Sequence, residues 1–227
     1  PETGIPVLRF SVPLALSQPE LHYEIPFGAI RREAWGGVEV PALRWAAAVT
    51  PAGGCLLLND SKHGHAYADG RLSLTLIRSS YDPDPLPEIG QHEIHLALRP
   101  IGAYDAATAI AAARAFNHDL KVVNTDAHRG TLPLTAGLVS CRGAGVVLDV
   151  IKRAEDGDGL ILRLHETAGR TAAAAVEVHS ILGTVSSVRE VDLLERATSN
   201  PALKARRNAF TAALPAFGIV SLRVRFR

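Results

Sequence analysis

The chain has 227 residues, a formal net charge of +1, 47% hydrophobic residues and 21% charged residues. That length allows one large β domain or two smaller ones with a proper core. The near-zero charge gives no footing for nucleic acid or an anionic membrane, and no stretch reaches the ~20 apolar residues of a membrane helix.

In chain order, the first strand-like stretch is Ile5 to Val12, followed by Leu21 to Phe27, Val38 to Trp45 and Cys55 to Leu58. Period-2 alternation is clearest in Arg71 to Ile77 and in His92 to Leu98, the signature of a half-buried strand. Asp105 then opens an alanine-rich run to Asn117, the one predicted helix, with Asp105 as N-cap and Asn117 as terminator. A lone helix among strands suggests a crossover between two sheets. Further strands are expected at Leu134 to Ser140, Gly145 to Lys152, Leu160 to His165, Ala174 to Val178, Val185 to Asp192 and Gly218 to Phe226. Between two of them lies Glu155-Asp156-Gly157-Asp158-Gly159. Its Asp-Gly pairs supply the positive φ angles of a β-hairpin turn, whereas an EF-hand would need a Glu at the far end. Arg206-Arg207 reads as a solvated face and Arg223 to Arg227 as an alternating strand. Short strands separated by Gly, Pro and Asp indicate an all-β sandwich architecture.

Signals for chemistry are sparse. His63 and His65 form an H-x-H pair and His92 and His95 lie three apart, yet no third ligand is nominated for zinc. Asp82, Asp84 and Glu88 cluster in a proline-alternating loop; two carboxylates at the right separation could run glycoside hydrolysis, and such a loop is also how a chain holds an exposed, rigid, extended segment with no catalytic part. Nucleophile elbows, Walker loops, CxxC pairs and dinucleotide fingerprints are absent. Cys55 and Cys141 are able to pair but are too few for a disulfide scaffold, and they suit a reducing compartment equally well. The sequence contains no methionine and begins at Pro1; the expectation is an excised part of a longer protein.

Six segments stand out in chain order: Tyr23-Glu-Ile-Pro-Phe-Gly-Ala-Ile-Arg31, Glu39-Val-Pro-Ala-Leu-Arg-Trp45, Leu57-Leu-Asn-Asp-Ser-Lys-His-Gly-His65, Leu72-Ser-Leu-Thr-Leu-Ile-Arg-Ser79, Gly90-Gln-His-Glu93 and Lys152 to Leu164. Together and in this order they resemble the C-terminal half of the family 38 glycoside hydrolases, the α-mannosidases. The resemblance implies a large galactose-mutarotase-like β-sandwich over residues 1–128, containing the helix as a link between its sheets. A smaller β-sandwich over residues 129–227 would follow, with the junction near Ala127 to Thr131. It makes His63 and His65 replacements for the family's tyrosines rather than metal ligands. Zinc and the aspartate nucleophile would belong to an N-terminal catalytic domain of the same polypeptide, so this chain would hold no catalytic residue, metal or cofactor of its own. Its implied part is to support that domain and to complete a site for a mannose-containing oligosaccharide, with room for a homo-oligomer of the parent. Arg78 is the arginine implied at the sugar, with Ser79, Tyr81 and Asp82 beside it, and Asn59, Asp60 and Lys62 form a second loop. Alanine and arginine content point to a bacterial cytoplasm. Two other readings are a free-standing carbohydrate-binding module using Trp35 or Trp45 as an aromatic platform, and an assembly module with an exposed apolar face.

Overall fold

The computed structural model describes residues 6–79, 82, 88–131 and 133–227. The chain divides into two compact units, 1–120 and 121–227. Unit 1 contains nine described strands: β1 (Val7–Pro13), β2 (Glu20–Ile25), β3 (Gly28–Arg32), β4 (Val40–Pro41), β5 (Trp45–Thr50), β6 (Gly53–Asn59), β7 (Gly64–Ala68), β8 (Arg71–Arg78) and β9 (Leu96–Ile101). Helix α1 (Ala106–Asn117) follows them. One sheet has the order β1-β8-β7-β4 and the other β3-β2-β5-β6-β9, with every described pairing antiparallel.

The core of unit 1 explains an unpatterned stretch of sequence. Side chains alternate faces along a strand. Ala46 and Ala48 of β5 join Leu21, Tyr23, Leu57, Leu72 and Leu74 in the core cluster. Trp45 and Ala47 are also fully buried, on the opposite face, and α1 packs on β5 and β6 through Ala109, Ile110 and Ala113 among its buried residues. With both faces covered, Trp-Ala-Ala-Ala-Val shows no polar alternation. The helix therefore covers a sheet; it does not link the two sheets as expected from the sequence.

Several expected boundaries move for identifiable reasons. Val38 to Trp45 is not one strand: Leu43 N–H bonds the Glu24 carbonyl at 3.0 Å and Arg44 N–H its carboxylate at 2.8 Å, so the ladder starts only at Trp45. His92 to His95 stays outside β9, because His95 N–H meets the Asp60 carboxylate at 3.3 Å rather than a strand carbonyl. Strand β3 returns on β2 through a turn with Phe27 at φ 55°. Strand β7 holds one member of the H-x-H pair, His65, and carries it into the core. Asp105 is the N-cap as expected, its carboxylate accepting from Thr108 N–H at 2.8 Å. Asn117 stays helical and the cap falls on His118.

Unit 2 consists of β10 (Val139–Arg142), β11 (Val146–Arg153), β12 (Leu160–Glu166), β13 (Ala172–Val178), β14 (Val185–Val191), β15 (Ala209–Leu214) and β16 (Ile219–Phe226). Its sheets have the orders β10-β13-β15 and β11-β12-β16-β14. Alternate residues Ala174, Val176 and Val178 of β13 and Phe210, Ala212 and Leu214 of β15 meet Leu162, Leu164, Leu222 and Val224 in one apolar core. The Glu155–Gly159 segment makes the expected hairpin: Gly157 and Gly159 take φ 79° and 96°, and Ala154 N–H closes on the Gly159 carbonyl at 3.0 Å. A bulge beside Leu148 turns Asp149 onto His165 Nδ1, a common use of an extra residue in a strand. Cys55 and Cys141 are both free thiols.

Candidate functional site

Strand register in unit 1 collects the loops that the sequence singles out at one end of the sandwich. Asn59 ends β6 opposite Leu96, the first residue of β9. Gly64 opens β7 opposite Thr75, and Arg78 closes β8 opposite Val7. The turn from Asn59 to His63 therefore shares its end of the sheets with Arg78 and with the segment leading into β9.

The turn is rigid because Asn59 holds it. Its side chain is fully buried; Nδ2 donates to the Leu43 carbonyl at 3.1 Å, and Oδ1 accepts from Ser61 and Lys62 N–H at 3.1 and 2.7 Å. The Asn59 carbonyl accepts from Asn117 Nδ2 at 3.1 Å, tying the turn to the end of α1. Both bonds accepted by Oδ1 and the one donated by Nδ2 run to groups inside the chain, so Asn59 is placed to position the loop. Asp60 faces outward. Its carboxylate accepts from Ser61 Oγ at 2.9 Å and meets His95 Nδ1 at 2.7 Å. Desolvation pushes the Asp60 pKa up, but the hydrogen bonds from His95 and Ser61 outweigh it and hold the carboxyl below its ordinary value. The bond to Asp60 in turn raises the His95 pKa, helped by Glu93 at 3.2 Å from Nε2. Lys62 is half-buried.

Arg78 is exposed at the strand end, and among the described residues no carboxylate pairs with it. Asp82 is exposed. Tyr81 and Asp84 lie outside the described residues. Two partners were not legible in sequence: Glu24, 2% exposed, receives Arg44 through its backbone N–H and guanidinium, and Glu39 receives Arg9 at 2.9 Å and the Thr75 hydroxyl. A charge opposite a buried acid is the only sequence signal for the first, and its twenty-residue separation is not marked by any motif.

The donors do not fit a zinc ion. His63 Nδ1 lies 3.1 Å from the Ala42 carbonyl, while His65 is buried in the core with its ring edge-on to Tyr23 at 6.2 Å. Among the described residues no three His, Cys, Asp or Glu side chains group as metal ligands. What the end of the sandwich offers is a guanidinium, an ammonium and an ordered turn, a set that binds hydroxyl or carboxylate groups.

Fold and loops define an all-β region of two antiparallel sandwich units with a polar loop cluster on the first. Residues 5–86 match the family described as "Glycosyl hydrolases family 38 C-terminal domain", and residues 145–222 match the "Glycosyl hydrolases family 38 C-terminal beta sandwich domain". The chain belongs to the C-terminal region of the family 38 glycosyl hydrolases, the α-mannosidases. It is 31% identical over 230 residues to Alpha-mannosidase 2C1 of Mus musculus, covering 95% of this chain and 21% of that protein. It is 28% identical over 172 residues to Alpha-mannosidase G of Dictyostelium discoideum, covering 72% of this chain and 16% of that protein. The crystal structure of an alpha-mannosidase from Enterococcus faecalis V583 superposes with a TM-score of 0.68 at 15% identity, over 97% of this chain and 26% of that one. The chain thus spans about a fifth or less of the curated relatives it matches. Among the described residues no helix is long and apolar enough to cross a membrane.

Proposed function

We propose that this chain serves a family 38 α-mannosidase as its non-catalytic C-terminal part, bracing a catalytic domain on the same polypeptide and completing its site for an α-mannoside. Hydrolysis would be the work of that domain, which would also hold the zinc. This chain contributes binding: Arg78 donates to sugar hydroxyls or braces a carboxylate, and the Asn59-anchored turn presents Asp60 and Lys62 beside it. The observation that carries the reading is the exposed Arg78 guanidinium, without a carboxylate partner among the described residues, at the same sandwich end as that turn.

The first test is hydrolysis of a chromogenic α-mannoside by this chain, with zinc and with chelator. No turnover from a folded β-rich chain is the expected result, and zinc-dependent turnover that copurifies with the chain refutes it. In the full polypeptide, Arg78→Ala is expected to raise KM or lower kcat/KM by about tenfold or more, the scale of one charge-assisted hydrogen bond. Unchanged kinetics remove Arg78 from the site. A free-standing sugar-binding module is less well supported, because Trp45 is fully buried and only Trp35, 59% exposed, remains as a platform.

A further inference from the structure

The outer face of the sheet β10-β13-β15 in unit 2 holds a depression of about 510 Å³ lined by Arg142, Lys204, Arg206, Glu177, Ser140 and Thr211, with Ala175 in its floor. The volume lies within the range of small-ligand pockets, about 300–1,000 Å³. Register sets the side chains on one face: Arg142 stands opposite Ala175, Ala175 opposite Thr211, and Ser140 opposite Glu177. Three cations converge there, all exposed, and none has an ion-pair partner among the described residues. Glu177 lines the same depression, unpaired with any of them.

The backbone that carries Lys204 and Arg206 is fixed from behind. Leu203 and Ala205 pack against the core, and Leu203 N–H bonds the Val188 carbonyl at 2.9 Å, so the alternating Lys204 and Arg206 face outward. Arg206 and Ala209 exchange backbone hydrogen bonds of 2.8 and 2.9 Å around a tight turn in which Arg207 and Asn208 take φ 48° and 64°. Asn208 fixes that conformation, accepting from Val185 N–H at 2.9 Å and donating to the Gly183 carbonyl at 2.8 Å. A left-handed arginine persists only where its surroundings impose it, and here the result is a fixed position for Arg206 at the rim.

We infer that this depression binds a small anionic saccharide, a sugar carrying a phosphate or carboxylate. The three cations supply charge-assisted donors for the anionic group. Glu177 opposes a bare anion but accepts from sugar hydroxyls, which Ser140 and Thr211 also meet. The small Ala175 leaves room over the floor for a sugar ring, and Glu177 disfavours an acidic peptide, whose carboxylates repel it and bring no hydroxyls. This site lies in unit 2, on elements that take no part in the loop cluster of unit 1, and it does not depend on α-mannoside chemistry.

The test is a two-dimensional amide NMR titration of the full chain with glucose 6-phosphate, glucuronate, glucose, inorganic phosphate and a hexaglutamate peptide at constant ionic strength. The expected result is saturable shifts at Arg142, Ala175, Arg206 and Thr211 with glucose 6-phosphate or glucuronate. Binding should be about tenfold tighter than for glucose or phosphate alone and should weaken with added salt. Whichever of the two acids saturates identifies the anionic group. Arg142→Ala with Arg206→Ala should weaken binding about tenfold or more; should that double variant fail to fold, the exposed Lys204→Glu replaces it. Equal binding of inorganic phosphate, tighter binding of the peptide, or no saturable shift overturns the inference. None of these outcomes bears on Arg78, so either proposal can fail alone.

Discussion

Replacing His65 by phenylalanine is expected to flatten the pH dependence of unit 1 stability between about pH 4 and 6.5. His65 is 0% exposed, and neither ring nitrogen has a hydrogen-bond partner among the described residues. Burial, with His63 and Arg32 adding repulsion and Glu39 weakly opposing them, depresses its pKa from 6.5 to about 4. The folded state therefore excludes a proton that the unfolded chain binds. Stability contributed by the neutral ring is complete above pH 6.5 and is lost as pH falls toward 4, below which the loss saturates. At about 1.4 kcal/mol per pH unit, that gap is worth about 3 kcal/mol in full and about 2 kcal/mol between pH 7 and 4.5. Both tryptophans, Trp35 and Trp45, lie in unit 1, so urea unfolding followed by tryptophan fluorescence reports on this unit alone. Wild type should lose about 2 kcal/mol more than His65→Phe on acidification from pH 7 to 4.5. Parallel losses in the two proteins would refute the reasoning, because they would mean that the imidazole is hydrated or paired in the folded state.

Two further outcomes follow from buried or clasped groups. Glu166, 1% exposed, accepts from the backbone N–H groups of Ala168, Gly169, Arg170 and Phe217 at 2.7 to 3.2 Å, and Glu166→Gln, which turns donors toward donors, should cost unit 2 about 3 kcal/mol in denaturant melts. Desolvation alone would raise the Glu166 pKa, yet those hydrogen bonds prevail and lower it; its stabilisation is present above about pH 4.5 and lost as pH falls through the lowered value. His95 should titrate above its ordinary value by NMR because Asp60 holds its protonated form. Asp60→Asn should return it toward 6.5 and speed amide exchange at residues 92–96, whereas an unmoved titration would break the assigned pairing. The raised pKa means that the clasp holds below pH 6.5 and is released as pH rises through the His95 value.

Local rules carried the elements whose causes are local. Alternation located β8, Asp105 announced its helix, and paired Asp-Gly residues announced the β11–β12 turn. The strands that alternation missed are those with another cause. Strand β5 is buried on both faces and reads Trp-Ala-Ala-Ala-Val, with no polar alternation. Strand β15 reads Ala-Phe-Thr-Ala-Ala-Leu, where small outward residues erase the polar phase. His92 to His95 alternates well, yet a carboxylate 35 residues away takes the His95 N–H out of the ladder. The candidate loops became visible through order-preserving resemblance rather than through spacing. Their supports are pairs such as Glu24–Arg44 and Asn59–Asn117, separated by 20 and 58 residues, and no one-dimensional pattern encodes such distances.

The structure also separates polar groups that look alike in sequence. Asn59, Glu24 and Glu166 are buried and hydrogen-bonded inside the chain, so binding a ligand through them would first break an internal hydrogen bond in a buried setting, where an unsatisfied group costs about 1–3 kcal/mol. Arg78 in unit 1 and Arg142, Lys204 and Arg206 in unit 2 are exposed cations without an internal carboxylate among the described residues, each carried on a strand end or a fixed turn. A ligand oxygen that displaces only water from such a cation gains a charge-assisted bond and breaks none within the protein. Burial with full satisfaction therefore marks the residues that build a site, and exposure on a rigid element without a partner marks the residues that a site can offer. By that criterion we propose Asn59 as the scaffold of its loop and Arg78 as the group that loop cluster holds out to a ligand.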